Sequence, residues 1–231
     1  DKNRVFTCDN LGRRMIEFWV TDLAGNQSKT ITFVTVQDNH GLCTNNGKIK
    51  ITGNVYTEEK VKVSDTKVKI DGGETEGSLM TDKEGTYSFE GLTMYNDYYI
   101  SPTKEGNYLE GLTTLDLVLI QRHILGIKKL DSPYKMIAAD ANNSKSVTAS
   151  DIVELRKLIL GVNDKLSNNA SWRFVDAAFK FDDIHNPWPF SENLNYEVLE
   201  TNMTTSDFIA IKLGDVNGSV AETLSGKTQN R

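Results

Sequence analysis

Residues 140–151 read Asp-Ala-Asn-Asn-Ser-Lys-Ser-Val-Thr-Ala-Ser-Asp, and the ten that follow, Ile-Val-Glu-Leu-Arg-Lys-Leu-Ile-Leu-Gly, have helical periodicity. Counted from Asp140, side-chain oxygens fall at positions 1, 3, 5, 9 and 12: Asp140, Asn142, Ser144, Thr148 and Asp151. Ser146 stands at position 7, where a calcium loop offers a backbone carbonyl. Calcium is a hard cation that takes six to eight oxygens, so a short loop running into a helix can wrap it while the helix holds the last carboxylate. Two positions misfit. Lys145 occupies position 6, where Gly makes the sharp turn, and Asp151 is shorter than the usual bidentate Glu. Both point to weak binding, with a dissociation constant of about 10⁻⁴–10⁻³ M as in extracellular modules. The competing reading is a polar turn in which Asp151 caps a helix N-terminus.

The pattern occurs again 35 residues earlier. Residues 105–116 read Glu-Gly-Asn-Tyr-Leu-Glu-Gly-Leu-Thr-Thr-Leu-Asp and lead into Leu-Val-Leu-Ile-Gln-Arg-His-Ile-Leu-Gly. One offset places Thr113 on Thr148, Asp116 on Asp151, Val118 on Val153, and Ile124, Leu125 and Gly126 on Ile159, Leu160 and Gly161, which marks an internal duplication. Apolar residues at Leu117, Ile120 and Ile124, and at Ile152, Leu155 and Ile159, predict two helices packed together, each closed by a glycine. In this first copy Glu105, Asn107, Thr113 and Asp116 supply oxygens and Gly111 the position-7 carbonyl. Position 5 is Leu109, which has only its backbone carbonyl to give.

A duplicated loop–helix unit that ends each time in Leu-Gly resembles the dockerin family. The resemblance covers about residues 103–163, and the module is placed at 103–165. It implies two EF-hand-type calcium loops and docking to a cohesin domain on another polypeptide. Loop positions 10 and 11, here Thr114, Leu115, Ala149 and Ser150, would read the partner. These residues differ between the copies, which argues against a two-way symmetric binding surface. A third fragment, Gly-Asp-Val-Asn-Gly-Ser-Val at 214–220, sets Asp215, Asn217 and Ser219 at positions 1, 3 and 5. It is either a half-site that borrows ligands from elsewhere or a simple turn.

Upstream the patterning is β. Residues 14–22 and 28–37 alternate around Leu-Ala-Gly-Asn and predict a hairpin. Ile16, Phe18 and Val20 share a face of one strand, and Ile31, Phe33 and Thr35 a face of the other. A lone hairpin is marginal in water and needs a sheet to join. The runs Phe-Thr-Cys-Asp-Asn-Leu-Gly, Phe-Trp-Val-Thr-Asp-Leu-Ala-Gly-Asn and Val-Thr-Val-Gln-Asp-Asn are similar to the end of a HYR-type immunoglobulin-like domain, at 1–39. Residues 40–47 read as a polar linker. Residues 48–102 carry candidate strands at 49–56, 67–70, 77–81, 86–89 and 97–101. Their runs Ile-Thr-Gly-Asn-Val-Tyr, Val-Lys-Ile-Asp-Gly and Thr-Asp-Lys-Glu-Gly-Thr-Tyr-Ser-Phe-Glu-Gly-Leu resemble a carboxypeptidase-regulatory-like or SdrD-B-like β-sandwich. That resemblance implies a spacer, stalk or chaperone-like appendage, and the name does not imply peptidase activity.

Residues 166–231 are expected as an aromatic-rich extension that packs on the module and ends in the Gly-Asp-Val-Asn half-loop and a polar tail, with one strand at 208–213. Its rings, Trp172, Phe174, Phe179, Phe181, Trp188 and Phe190, either finish the small core of the helices or form a platform for sugar or a partner. The expected fold class is therefore multidomain: a mainly β N-terminal half with a sandwich, and an α-rich C-terminal half built on a small helical calcium module. The two cysteines, Cys8 and Cys43, flank the hairpin. They either pair with each other or leave Cys8 to an upstream partner.

The 231 residues, 38% apolar and 25% charged, suit a soluble chain of one large or two to three small domains. The net charge of −6 argues against nucleic acid and anionic membrane surfaces as partners. No run is apolar enough for direct membrane insertion. No catalytic motif of the His-Glu-x-x-His, Gly-x-Ser-x-Gly, phosphate-loop or Cys-x-x-Cys kind occurs, and His123, which aligns with Leu158, reads as a packed residue. The chain opens inside a strand-rich region, so the expectation is an interior piece of a longer protein. Together these readings point to a non-enzymatic, calcium-stabilised structural or adhesive segment of a bacterial cell-surface or filament protein, extracellular and exported by type IX secretion. Its partners would be neighbouring domains and other copies. The alternatives are a module that docks an enzyme or scaffold on a cohesin, and carbohydrate binding through the aromatic segment.

Overall fold

The computed structural model describes residues 4–40, 42–43, 47–73 and 75–226. The linker expected at 40–47 falls partly, and the polar tail beyond 226 wholly, outside them. The first two strands, β1 (Gly12–Thr21) and β2 (Gln27–Val36), form an antiparallel two-stranded sheet. Their turn is fixed by the Asp22 carboxylate, which accepts the backbone N–H groups of Ala24 and Asn26 at 2.9 and 2.8 Å. The register sets Met15 opposite Phe33 and Ile16 opposite Thr32. Ile31 and Phe33 therefore share a face with Met15, and Ile16, Phe18 and Val20 lie on the other. Cys8, in a short 3₁₀ turn before the hairpin, is disulfide-bonded to Cys43 after it.

The chain continues through β3 (Lys48–Tyr56), β4 (Lys67–Gly72), β5 (Thr75–Met80), β6 (Thr86–Thr93) and β7 (Asn96–Thr103). Three helices follow: α1 (Thr114–Ile124), α2 (Pro133–Ala139) and α3 (Ala149–Ile159). The chain then returns to strand: β8 (Trp172–Asp176), β9 (Leu194–Leu199) and β10 (Phe208–Lys212), before a last short helix, α4 (Ser219–Leu224).

Those late strands overturn the expected α-rich C-terminal half. Among the described residues the molecule is mainly β, with three sheets. The strands of 48–103 form two partial sheets with open edges, and unpaired edge groups demand partners. β9 pairs antiparallel with β7 to complete the order β5-β4-β7-β9, and β10 runs parallel to β3 and antiparallel to β8 in the order β6-β3-β10-β8. The Trp-Arg-Phe-Val-Asp of β8 thus serves as an edge strand.

The sheet containing β10 is covered on both sides. Trp172, Phe174, Phe208 and Ala210 face the other sheet and join Ile51, Val68, Ile70, Tyr98 and Ile100 in one core. Val175 and Ile211, one residue out of phase, face the helices and join Ile120, Ile137, Leu155 and Leu158 in a second. A strand covered on both faces reads as a nearly continuous apolar run, and all five residues of β10 are buried, four of them apolar and the fifth Lys212. The crossing into β10 explains Gly53. The segment 203–206 lies against β3: Met203 N–H donates to the Lys50 carbonyl, Thr52 N–H to the Met203 carbonyl and Ser206 N–H to the Thr52 carbonyl, and a Cβ at Gly53 would run into the Ser206 carbonyl.

Candidate metal centres

The loop at 140–151 closes on itself through its own carboxylates. Asp140 is the C-cap of α2, and its two oxygens accept the N–H groups of Ser144 and Lys145, each at 2.8 Å. Asn142 Oδ1 accepts Ser144 N–H at 3.0 Å. Asp151, on the first turn of α3, accepts Asn142 N–H at 3.1 Å with one oxygen and Thr148 N–H at 2.8 Å with the other. Ser144 Oγ donates to the Ser146 carbonyl at 3.2 Å. Asn143 and Lys145 take left-handed conformations, with φ of 58° and 63°. Lys145 therefore makes the turn usually given to Gly, at some cost in backbone strain.

The second centre has the same bonds but no continuous loop. Asp215 Oδ1 accepts Gly218 and Ser219 N–H at 2.9 and 3.1 Å, and its Oδ2 accepts Val220 N–H at 2.7 Å. Asn217 Oδ1 accepts Ser219 N–H at 2.8 Å. Asp116, on α1, accepts Asn217 N–H at 3.2 Å with one oxygen and Thr113 N–H at 2.8 Å with the other. Ser219 Oγ donates to the Gly111 carbonyl at 2.7 Å. Bond for bond, Asp215, Asn217 and Ser219 stand where Asp140, Asn142 and Ser144 do, and Gly111, Thr113 and Asp116 stand where Ser146, Thr148 and Asp151 do.

The structure thus brings together Gly111, Thr113, Asp116, Asp215, Asn217 and Ser219. Glu105, Asn107 and Leu109 do not enter this arrangement. Asn107 Oδ1 accepts Leu109 N–H at 2.9 Å in a turn of its own, and Glu105 is exposed. Gly111 shows how close the two segments come: at φ +73° a Cβ there would lie 2.9 Å from both Asp215 Oδ2 and Val220 Cβ. The pairing had a sequence signal. Asp-Ala-Asn-Asn-Ser at 140–144 and Asp-Val-Asn-Gly-Ser at 215–219 share their oxygens, and both fourth residues, Asn143 and Gly218, are left-handed.

Electrostatics separate these aspartates from ordinary caps. Asp116 and Asp151 are fully buried, and Asp140 and Asp215 nearly so. Burial raises the pKa of Asp140, with Asp151 adding repulsion against the help of the loop N–H groups. Burial pushes Asp215 up to about 6, with Asp116 again adding repulsion. Lys212 feels both Asp215 and Asp116. Its Nζ donates to the Tyr108 and Leu213 carbonyls at 3.0 and 3.3 Å, and burial pulls it down to about 8. Two buried like charges facing each other are costly unless a cation lies between them. Among the described residues no cluster holds three or more His, Cys, Asp or Glu. Each centre offers two carboxylates and otherwise neutral oxygens, a donor set that suits calcium and not a soft transition metal.

No family model matches the chain, and no curated protein matches it. The remaining expected residues are placed as follows. Thr114, Leu115, Ala149 and Ser150 are exposed at the starts of α1 and α3. His123 is buried, and its Nδ1 accepts Leu130 N–H at 3.0 Å. Phe179, Phe181 and Phe190 pack edge-on or tilted against one another, Phe181 meets Tyr134 of α2 edge-on at 5.5 Å, and Trp188 joins the same second core. Trp172 and Phe174 lie in the sandwich core.

Proposed function

We propose that this chain is a non-catalytic, calcium-stabilised structural segment of an extracellular bacterial surface protein. The observation that carries this reading is the repeated bonding pattern of the two centres, each with a pair of buried aspartates. Asp140, Asn142, Ser144, Ser146, Thr148 and Asp151 would hold one ion, and Asp215, Asn217, Ser219, Gly111, Thr113 and Asp116 the other. Calcium would neutralise each carboxylate pair. In the second centre it would also fasten the segment after β10 to α1, across about a hundred residues of chain. The Cys8–Cys43 disulfide supports an oxidising compartment.

The test is calorimetric titration with calcium alongside thermal melting with and without chelator. Two ions per chain are expected. At a hundredfold excess over Kd each site would contribute about 2.7 kcal/mol, so chelation lowers the melting midpoint by several degrees. An unchanged midpoint in chelator rejects the reading.

A second reading, docking on a cohesin-like partner, has its own support. Leu115, Val118 and Leu125 on or just after α1, and Val153 and Leu160 on or just after α3, are each about half exposed or more. Their spacing sets one apolar stripe along each copy. Pull-down with a cohesin domain and loss of capture by Leu115→Asp together with Val153→Asp test it. Capture unaffected by both substitutions rejects it.

A further inference from the structure

A cleft of about 490 Å³ lies between the end of β7, the continuous loop and β8, beside the first metal-type centre and apart from the second and from the exposed stripes. Four of its polar side chains are amides: Asn143 from the loop, Asn168 and Asn169 after α3, and Asn193 before β9. Arg173 of β8 and Glu192 face each other across it. Trp172 and Phe174 lie under its floor, almost fully buried. The volume is that of a small-ligand site.

Three of the four charged side chains that line the cleft are engaged within the protein, and the fourth, Glu105, is an exposed carboxylate. Arg173 donates to both Glu192 oxygens, Nε at 2.5 Å and Nη2 at 2.9 Å, while Nη1 donates to Asn143 Oδ1 at 3.0 Å and Asn169 Oδ1 at 3.5 Å. Lys104 at the margin turns away, its Nζ donating to the Ser64 and Asp65 carbonyls at 2.7 and 3.2 Å. No cation is left to call for an anionic ligand. Neutral hydrogen-bonding groups are left instead. Among the described residues the side-chain amides of Asn168 and Asn193 bond to nothing in the protein, and Asn143 uses only its oxygen. The Trp172 indole N–H is buried without a partner, in a side chain only 2% exposed. Beside it is Gly106, where a Cβ would stand 3.5 Å from Nε1 and the glycine leaves that space clear.

We propose that this cleft binds a neutral sugar ring of an oligosaccharide. The free amides of Asn168 and Asn193 each offer a donor and an acceptor, which is what vicinal hydroxyls require. An acidic sugar finds no unpaired cation. The site goes beyond the calcium reading and depends on it only through Asn143, which the loop holds in place.

The experiment is calorimetric titration of the whole chain, in calcium, with cello-, xylo-, manno-, malto- and chitotetraose, and with a galacturonic acid tetramer as the charged arm. At least one neutral tetrasaccharide is expected to bind. Asn168→Ala and Asn193→Ala are each expected to weaken it at least fivefold at an unchanged melting midpoint, because neither amide supports the fold. Failure of all five neutral probes, preference for the acidic tetramer, or unchanged affinity in both variants overturns the proposal. The calcium-induced shift in melting, read on the same samples, reports the metal centres separately.

Discussion

The two centres share nearly every hydrogen bond and differ in how the chain reaches them. At 140–151 all six oxygen-bearing positions lie within twelve consecutive residues, so the loop can form once α3 has its first turn. At the second centre Asp116 and Asp215 approach only after β8, β9 and β10 have entered their sheets. An ion held by the first stiffens a turn. An ion held by the second closes a long loop of chain, and loop-closing restraints act on the whole folding equilibrium. The same local chemistry therefore has different reach, and substitutions can expose the difference.

The largest effect is expected from Asp116→Ala. It removes the acceptor of Thr113, Val216 and Asn217 N–H groups and should cost about 3 kcal/mol in calcium. Limited proteolysis should then cut near residues 214–226. Asp151→Ala should open only 142–148, and equal cutting of the C-terminal segment in both variants breaks the comparison. Chelator should shrink the cost of Asp116→Ala, because the substitution then also relieves repulsion on Asp215.

pH offers the next test. Asp215 has a folded pKa of about 6, above its ordinary 3.8, so the folded chain binds the extra proton. Without calcium, stability should rise as pH falls from 7 towards 4, by at most about 3 kcal/mol from this group. With calcium the trend should reverse, since protonation expels the ion. Chelator melts at pH 7 and 5 check the sign.

Gly111→Ala should follow. The new Cβ meets Asp215 and Val220 at a positive φ, for a cost of about 1–2 kcal/mol, and titration should show one weakened calcium site and one unchanged. The smallest effect is expected from Lys145→Gly. It relieves a left-handed Lys and should tighten only the continuous loop, stabilising by up to about 1 kcal/mol in melting experiments.

Much of this was legible locally. Strand-forming runs marked β1 to β7 and β10, and period-3.6 spacing marked α1 and α3, because these patterns depend on neighbours within a few residues. The residues Asp116 and Asp215 were also visible as oxygen donors. What the pattern could not carry was their union, since Asp116 appeared to belong with Asn107 a few residues away. β8 and β9 were missed for the same reason. Trp172 and Phe174 face one core while Val175 faces another, so the segment lacks the polar alternation of a half-exposed strand.

The amino-acid sequence by itself determined the duplicated loop–helix units, the strand-forming runs and the oxygen chemistry of each loop, all of which follow from side-chain identity and short-range spacing. Tertiary structure alone decided that the late strands complete both sheets and that the first loop is finished by residues 215–219. Both depend on which open edge and which unpaired carboxylate remain when the chain collapses, and burial makes satisfying them obligatory.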